Sequence, residues 1–190
     1  MNRLTTTIAI TALAIAPAVL AQSMGEKTGV NSALGISPTT QDFVKEAATS
    51  DMLEIAAAKI AQDKGDAEEK KFAGQMITDH SKTTSELKEL VSKGDVKADI
   101  PANLDDSSQK KLDKLRDAKP ADFADTYDPM QVSAHKDAVS LFERYSKSGE
   151  NASLKDWAGK TLPTLRHHLD MAEALDKNRD QDRRTQGMSR

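Results

Sequence analysis

The lengths of the gaps between four long amphipathic segments constrain this chain more than any other feature. Apolar residues recur at the period of an α-helix over about Gln41–Lys64, Ala67–Lys93, Ala121–Lys147 and Ala152–Lys177. Gly65 and Asp66 alone separate the first two segments, and a few residues around Gly149 separate the last two. Connections this short force consecutive helices to pack antiparallel. The second and third segments are instead joined by Gly94–Lys119, which holds Pro101 and a short amphipathic helix around Ser108–Asp117 with Leu112 and Leu115 inward. Two hairpins joined by one long crossover predict an all-α, ferritin-like four-helix bundle; an up-down-up-down bundle needs short loops throughout.

Local signals support these boundaries. Thr39 or Thr40 is placed to cap the first helix. Asp66 followed by Glu69 resembles a capping box for the second, and Gly94 ends that helix. Asp128 and Gln131 flank Pro129 in the manner of a cap and its partner, so the third helix is expected to kink or restart there before Gly149 closes it. Ser153 with Asp156 is the expected cap of the fourth, which Pro163 should bend by removing one internal hydrogen bond.

The N-terminus reads as a secretory signal. Arg3 supplies the positive charge, Leu4–Leu20 is uncharged, and Val19-Leu20-Ala21 puts small residues where a signal peptidase cuts. The expected organisation is a signal peptide over residues 1–21, a flexible polar leader over 22–39, a bundle domain over 40–177 and a disordered tail over 178–190. The expected location is the periplasm. The apolar run is short for a spanning helix and no second one follows, so no integral membrane insertion is expected after cleavage.

Composition removes several classes of function. Cysteine is absent, which excludes disulfides, thiolate nucleophiles and thiolate metal ligands. The net charge of −3 lacks the clustered positive charge that sequence-independent nucleic-acid binding requires. No nucleophile elbow or phosphate-cradling loop occurs.

The positive signal lies in the helical stripes themselves. Phe43, Ala47, Glu54, Ala58 and Ala61 share one face of the first helix; Phe72, Met76, His80, Thr83, Leu87 and Leu90 share one face of the second. Val132, His135, Val139 and Phe142 line the third, and Leu154, Trp157, Ala158, Leu165, His168, Leu169, Ala172 and Leu175 the fourth, with His167 pointing away. A carboxylate and three imidazoles thus replace apolar residues near the middle of four different helices, at heights that differ by roughly 5 Å within each hairpin at 1.5 Å per residue. Burying such groups is costly unless they are paired or ligated. Two readings stay open. Glu54, His80, His135 and His168 could bind a transition metal, zinc or copper before others, with Asp79 as a further ligand or as the group orienting His80. Met76, one turn before His80, would favour copper if it also points inward. Alternatively the four could form a polar network, Glu54 with His80 and His135 with His168, that only specifies the core.

Particular segments also resemble a known family. Phe43-Val44 leading to Glu54, Met76-Ile77-Thr78-Asp79-His80, Phe123 and Tyr127 leading to Gln131-Val132 and His135, and Leu162-Pro163-Thr164-Leu165 ending at His168 are similar to the secreted ferritin-like family known as the domain of unknown function 4142. The resemblance covers about Gln41–Leu175. It implies a ferritin-like bundle, export to the periplasm or cell envelope, and no established activity. Pro129 departs from the unbroken helix expected in that segment. Di-iron bundles carry Glu-x-x-His on two helices, but Ile77 and Leu165 stand three residues before His80 and His168. Iron oxidation therefore does not carry over with the fold. The expected function is that of an exported, non-enzymatic bundle that binds a transition metal or acts in envelope stress, with a homo-oligomer or an envelope protein as partner. The alternatives are a purely structural or interaction module and, behind it, a metal-dependent oxidoreductase.

Overall fold

The structure is a computed structural model describing residues 30–188; the signal peptide and residues 22–29 of the leader expected from the sequence lie outside the described residues. A short helix α1 (Val30–Leu34) precedes the first long helix, α2 (Thr40–Lys64). The second is α3 (Ala67–Ser92), the crossover carries α4 (Asp106–Asp117), and a 3₁₀ turn at Pro120–Asp122 leads into α5 (Phe123–Ser148) and then α6 (Ala152–Met188).

Helix starts follow from side chains that satisfy the free N–H groups of the first turn. Thr39 Oγ1 accepts from Asp42 N at 3.1 Å. Asp66 accepts from Glu68 N and Glu69 N while Glu69 accepts from Asp66 N, a complete capping box. The last helix is capped by Asn151 rather than by Ser153: Asn151 Oδ1 accepts from Leu154 N at 2.9 Å. Asp128 is not a cap either. Helix α5 runs unbroken through Pro129, and Asp128 is buried on its inner face together with Gln131. A proline early in a helix loses one hydrogen bond without ending it when the rest of the helix is held by packing. Helix α6 continues past Lys177 to Met188, where a disordered tail was expected. Arg179 ties that extension back to the start of α3, donating to Asp66 at 2.6 Å.

The long helices pack as two antiparallel hairpins, α2 with α3 and α5 with α6, and the hairpins meet along α2–α5 and α3–α6. The core has two apolar halves. In one, Phe43 and Val44 at the start of α2 meet Leu87 near the end of α3, Phe142 and Tyr145 near the end of α5, and Leu154 and Trp157 at the start of α6. In the other, Ala57, Ala58 and Ala61 meet Phe72, Leu112, Leu115, Phe123, Tyr127 and Ala172. Helices α3 and α5 therefore run in the same direction, so the crossover has to traverse the bundle from end to end. Helix α4 lies along that path, against α2 and α5, with Leu112 and Leu115 turned inward as expected. Among the described residues, no helix is long and apolar enough to cross a membrane.

Candidate metal centre

Between the two apolar halves lies a polar layer. Glu54 from α2, His80 from α3, His135 from α5 and His168 from α6 are only 1 %, 2 %, 1 % and 1 % exposed. The ring centroids of His80, His135 and His168 lie 5.4–5.8 Å apart. One ring nitrogen from each of the three falls within 4.8 Å of the other two. The close group consists of the histidines; Glu54 stands beside it, near enough for its charge to act on His80 and His135.

Each imidazole is held by an acceptor on one nitrogen. His80 Nδ1 donates to Asp51 Oδ1 at 2.8 Å, His135 Nδ1 donates to the Gln131 carbonyl at 2.9 Å, and His168 Nε2 donates to Asp79 Oδ2 at 2.8 Å. An acceptor on one nitrogen places the proton there and leaves the neutral ring with a lone pair on the other. Those other nitrogens are His80 Nε2, His135 Nε2 and His168 Nδ1, all buried and without a hydrogen-bond partner, as are both carboxylate oxygens of Glu54. The atoms left over on Glu54 and on the neutral rings are acceptors, while the buried Tyr127 hydroxyl and Gln131 side-chain amide on α5 are unpaired as well.

The supporting groups are themselves anchored. Asp51 accepts from Thr83 Oγ1 at 2.8 Å and from Thr84 Oγ1 at 3.0 Å through its second oxygen. Asp79 accepts from Gln75 Nε2 at 2.7 Å. Burial works against a charged Asp79, but the Gln75 and His168 hydrogen bonds outweigh it and hold its pKa below the usual carboxylate value. Burial likewise opposes a charged His80, yet the Asp51 hydrogen bond and the charges of Asp51, Glu54 and Asp79 raise its pKa. For His135 burial dominates and the pKa falls, although Glu54 pulls the other way. Burial also lowers His168, to about 4, against the opposing effect of Asp79. A proton held by this cluster therefore sits on His80, while the other two rings stay neutral.

The sequence expectations meet this geometry unevenly. The three histidines come together, and Glu54 flanks them. Asp79 does not orient His80 but reaches across the bundle to His168. The pairings Glu54–His80 and His135–His168 are not hydrogen bonds; each ring is bonded outward instead. Met76 is fully buried in the apolar half with Phe72 and Tyr127. Asp51 went unrecognised, although its signal was present. The stripe Ala47, Glu54, Ala58, Ala61 skips one step of its alternating four-and-three spacing, and Asp51 fills it. The Gln131 carbonyl, being backbone, had no signal in the sequence.

Neither a curated protein nor a solved structure matches the chain. The family described as domain of unknown function DUF4142 matches residues 25–175, which include all of α2 to α5, most of α6, and every residue of the polar layer. The chain belongs to this family.

Proposed function

We propose that this protein binds one transition-metal ion in the middle of its bundle, through His80 Nε2, His135 Nε2 and His168 Nδ1 with Glu54 as the fourth ligand. The observation that carries the reading is the convergence of acceptors. A network that merely specified the core would pair donors with acceptors. Here three imidazoles each leave one buried nitrogen without a partner beside a buried carboxylate. Two of the rings are neutral and the third, His80, is able to release its proton as a metal binds, and a cation satisfies all of them at once. Zinc fits three imidazoles and one carboxylate in a tetrahedron at about 2.0–2.2 Å, which brings the nitrogens to roughly 3.3 Å from one another. The ring nitrogens that lie within 4.8 Å of one another would close by up to about 1.5 Å to reach that spacing. Copper is the competitor, since the same donor set suits it.

The near-complete burial of all four ligands favours holding a metal over catalysis, which needs an open coordination position and a path for substrate. Arg3, the uncharged run to Leu20 and Ala21 support export to the periplasm as the setting in which the metal is met. The alternative of a purely structural module rests on the outward hydrogen bonds of Asp51 and Asp79, which would order the core with or without metal.

Elemental analysis of untagged protein purified without chelators tests the reading. About one zinc or copper per chain is expected, given the single cluster of this kind among the described residues. A metal-free protein that also fails to take up either ion rejects it in favour of the structural module.

A further inference from the structure

A second polar series runs from the histidines toward the opposite end of the bundle. Asp128, Gln131 and His135 recur at helical spacing on the inner face of α5, and all three are buried. The series spans about 10 Å at 1.5 Å per residue. Tyr127 lies beside it, within reach of the charges of Glu54, Asp128 and Glu69. The Tyr127 hydroxyl and both side-chain amide atoms of Gln131 are buried and make no hydrogen bond. At the outer end Asp128 lies against Glu69, and Arg179 of α6 closes over both. Its guanidinium is 3.8 Å from Asp128, 3.5 Å from Glu69 and 2.6 Å from Asp66. Arg179 and Asp66 line a surface cavity of about 490 Å³ together with Asn178, Gln181 and Leu175.

A buried polar atom without a partner costs about 1–3 kcal/mol, and an apolar side chain of similar shape avoids that cost. A row of them between the buried histidines and Arg179, which itself lines a surface cavity, is therefore a feature that folding alone does not favour. Its chemistry suits a cation throughout: carboxylates at the mouth, amide and phenol oxygens along the way, and Glu54 with three imidazoles at the end. Arg179 sets a positive charge among the carboxylates of that mouth.

We propose that this row is the route by which a divalent transition-metal cation reaches the histidines, and that Arg179 closes its outer mouth. The route rests on the metal-centre reading above. An ion passing inward exchanges water for the oxygens of Glu69 and Asp128, then for those of Tyr127 and Gln131, and displaces Arg179 from the carboxylates as it enters.

Stopped-flow mixing of the full chain with cobalt(II) alone, followed by visible absorption, separates the rate of loading from its end point. At pH 8, where Asp128 is mostly ionised, Arg179→Gln should load about tenfold faster and Asp128→Asn about tenfold slower, both reaching the wild-type absorbance, a tenfold change in rate being about 1.4 kcal/mol of barrier. Glu143→Gln removes a half-buried charge, paired with Arg166, near the far end of α5 from the mouth, and should load at the wild-type rate. Wild-type rates for both mouth variants at full absorbance overturn the route while leaving the metal centre standing. Equal slowing by Glu143→Gln also overturns it, because net charge then accounts for the effect. A wild-type chain that gives no cobalt spectrum rejects the metal centre and the route with it. Should Asp128→Asn fail to fold, the partly exposed Arg179→Gln carries the test.

Discussion

Asp51 Oδ1 accepts from His80 Nδ1 at 2.8 Å, joining α2 to α3 within one turn of Glu54. The bond fixes which nitrogen of His80 carries a proton and so which one is left for a ligand. Asp51 in turn is held by Thr83 and Thr84 on the same helix as His80. Groups that orient a ligating imidazole typically govern metal affinity by 10–100-fold. Asp51→Asn is therefore expected to weaken zinc binding by about tenfold or more in calorimetric titration, with helicity unchanged by circular dichroism. An unaltered affinity would mean that His80 is not a ligand.

The corresponding change at Asp79 should be milder. Its side chain is 23 % exposed, whereas that of Asp51 is 9 % exposed. Water can replace part of what Asp79 does for His168. Asp79→Asn is expected to reduce zinc affinity by less than Asp51→Asn does, in the same titration.

Metal-free protein should reveal the cost of collecting acceptors. Glu54→Gln introduces an amide that can donate to a neighbouring imidazole nitrogen and removes a buried charge. The metal-free variant is expected to be more stable than metal-free wild type by about 1–3 kcal/mol in urea denaturation, the range for satisfying a buried polar group. The same variant should bind zinc more weakly, so that the order of stabilities reverses when zinc is present at saturating concentration. A variant less stable than wild type in both states would show that Glu54 already has a structural partner.

Asp128 makes stability depend on pH in a direction opposite to that of most carboxylates. Burial, reinforced by the charge of Glu69 and offset by Arg179, raises its pKa from 3.8 to about 7. A carboxyl whose folded pKa lies above its unfolded one contributes fully below the unfolded value, and that contribution is lost as pH rises through the folded pKa. The window is therefore about pH 4 to 7. Asp128→Asn should stabilise the protein at pH 8 by on the order of 2–4 kcal/mol and leave it nearly unchanged at pH 4, as measured by denaturation at the two values. Equal effects at both pH values would contradict the raised pKa.

Two glycines separate steric from conformational cost. Gly149 has an ordinary φ of −63°, but an added Cβ would lie 2.5 Å from the Tyr145 ring. Gly94 has φ +79° with open space around it. Gly94→Ala should cost about 1 kcal/mol, the usual penalty for a side chain in the left-handed region. Gly149→Ala should cost more, about 1–3 kcal/mol, because it pushes against a ring that is packed on Phe43. Thermal denaturation of the two variants checks the order.

The helices, the short–long–short connections and the mid-helix positions of Glu54, His80, His135 and His168 were legible in the amino-acid sequence, because helical periodicity and loop length are local properties. The same periodicity carried Asp51, Asp128 and Gln131 in its stripes, but a charged or amide side chain reads equally well as the edge of a solvated face. What the tertiary structure alone decided is which groups meet: that Asp79 serves His168 and not His80, that the imidazoles bond outward and leave their other nitrogens without partners, and that Arg179 returns from beyond the expected helix end to cover Asp66, Glu69 and Asp128. Apart from the bond of His135 to the Gln131 carbonyl one turn away, these are contacts between residues 29 to 113 positions apart. Sequence spacing sets the height and face of each group on its own helix, whereas the partner across the bundle depends on how the helices rotate and cross when the apolar halves pack.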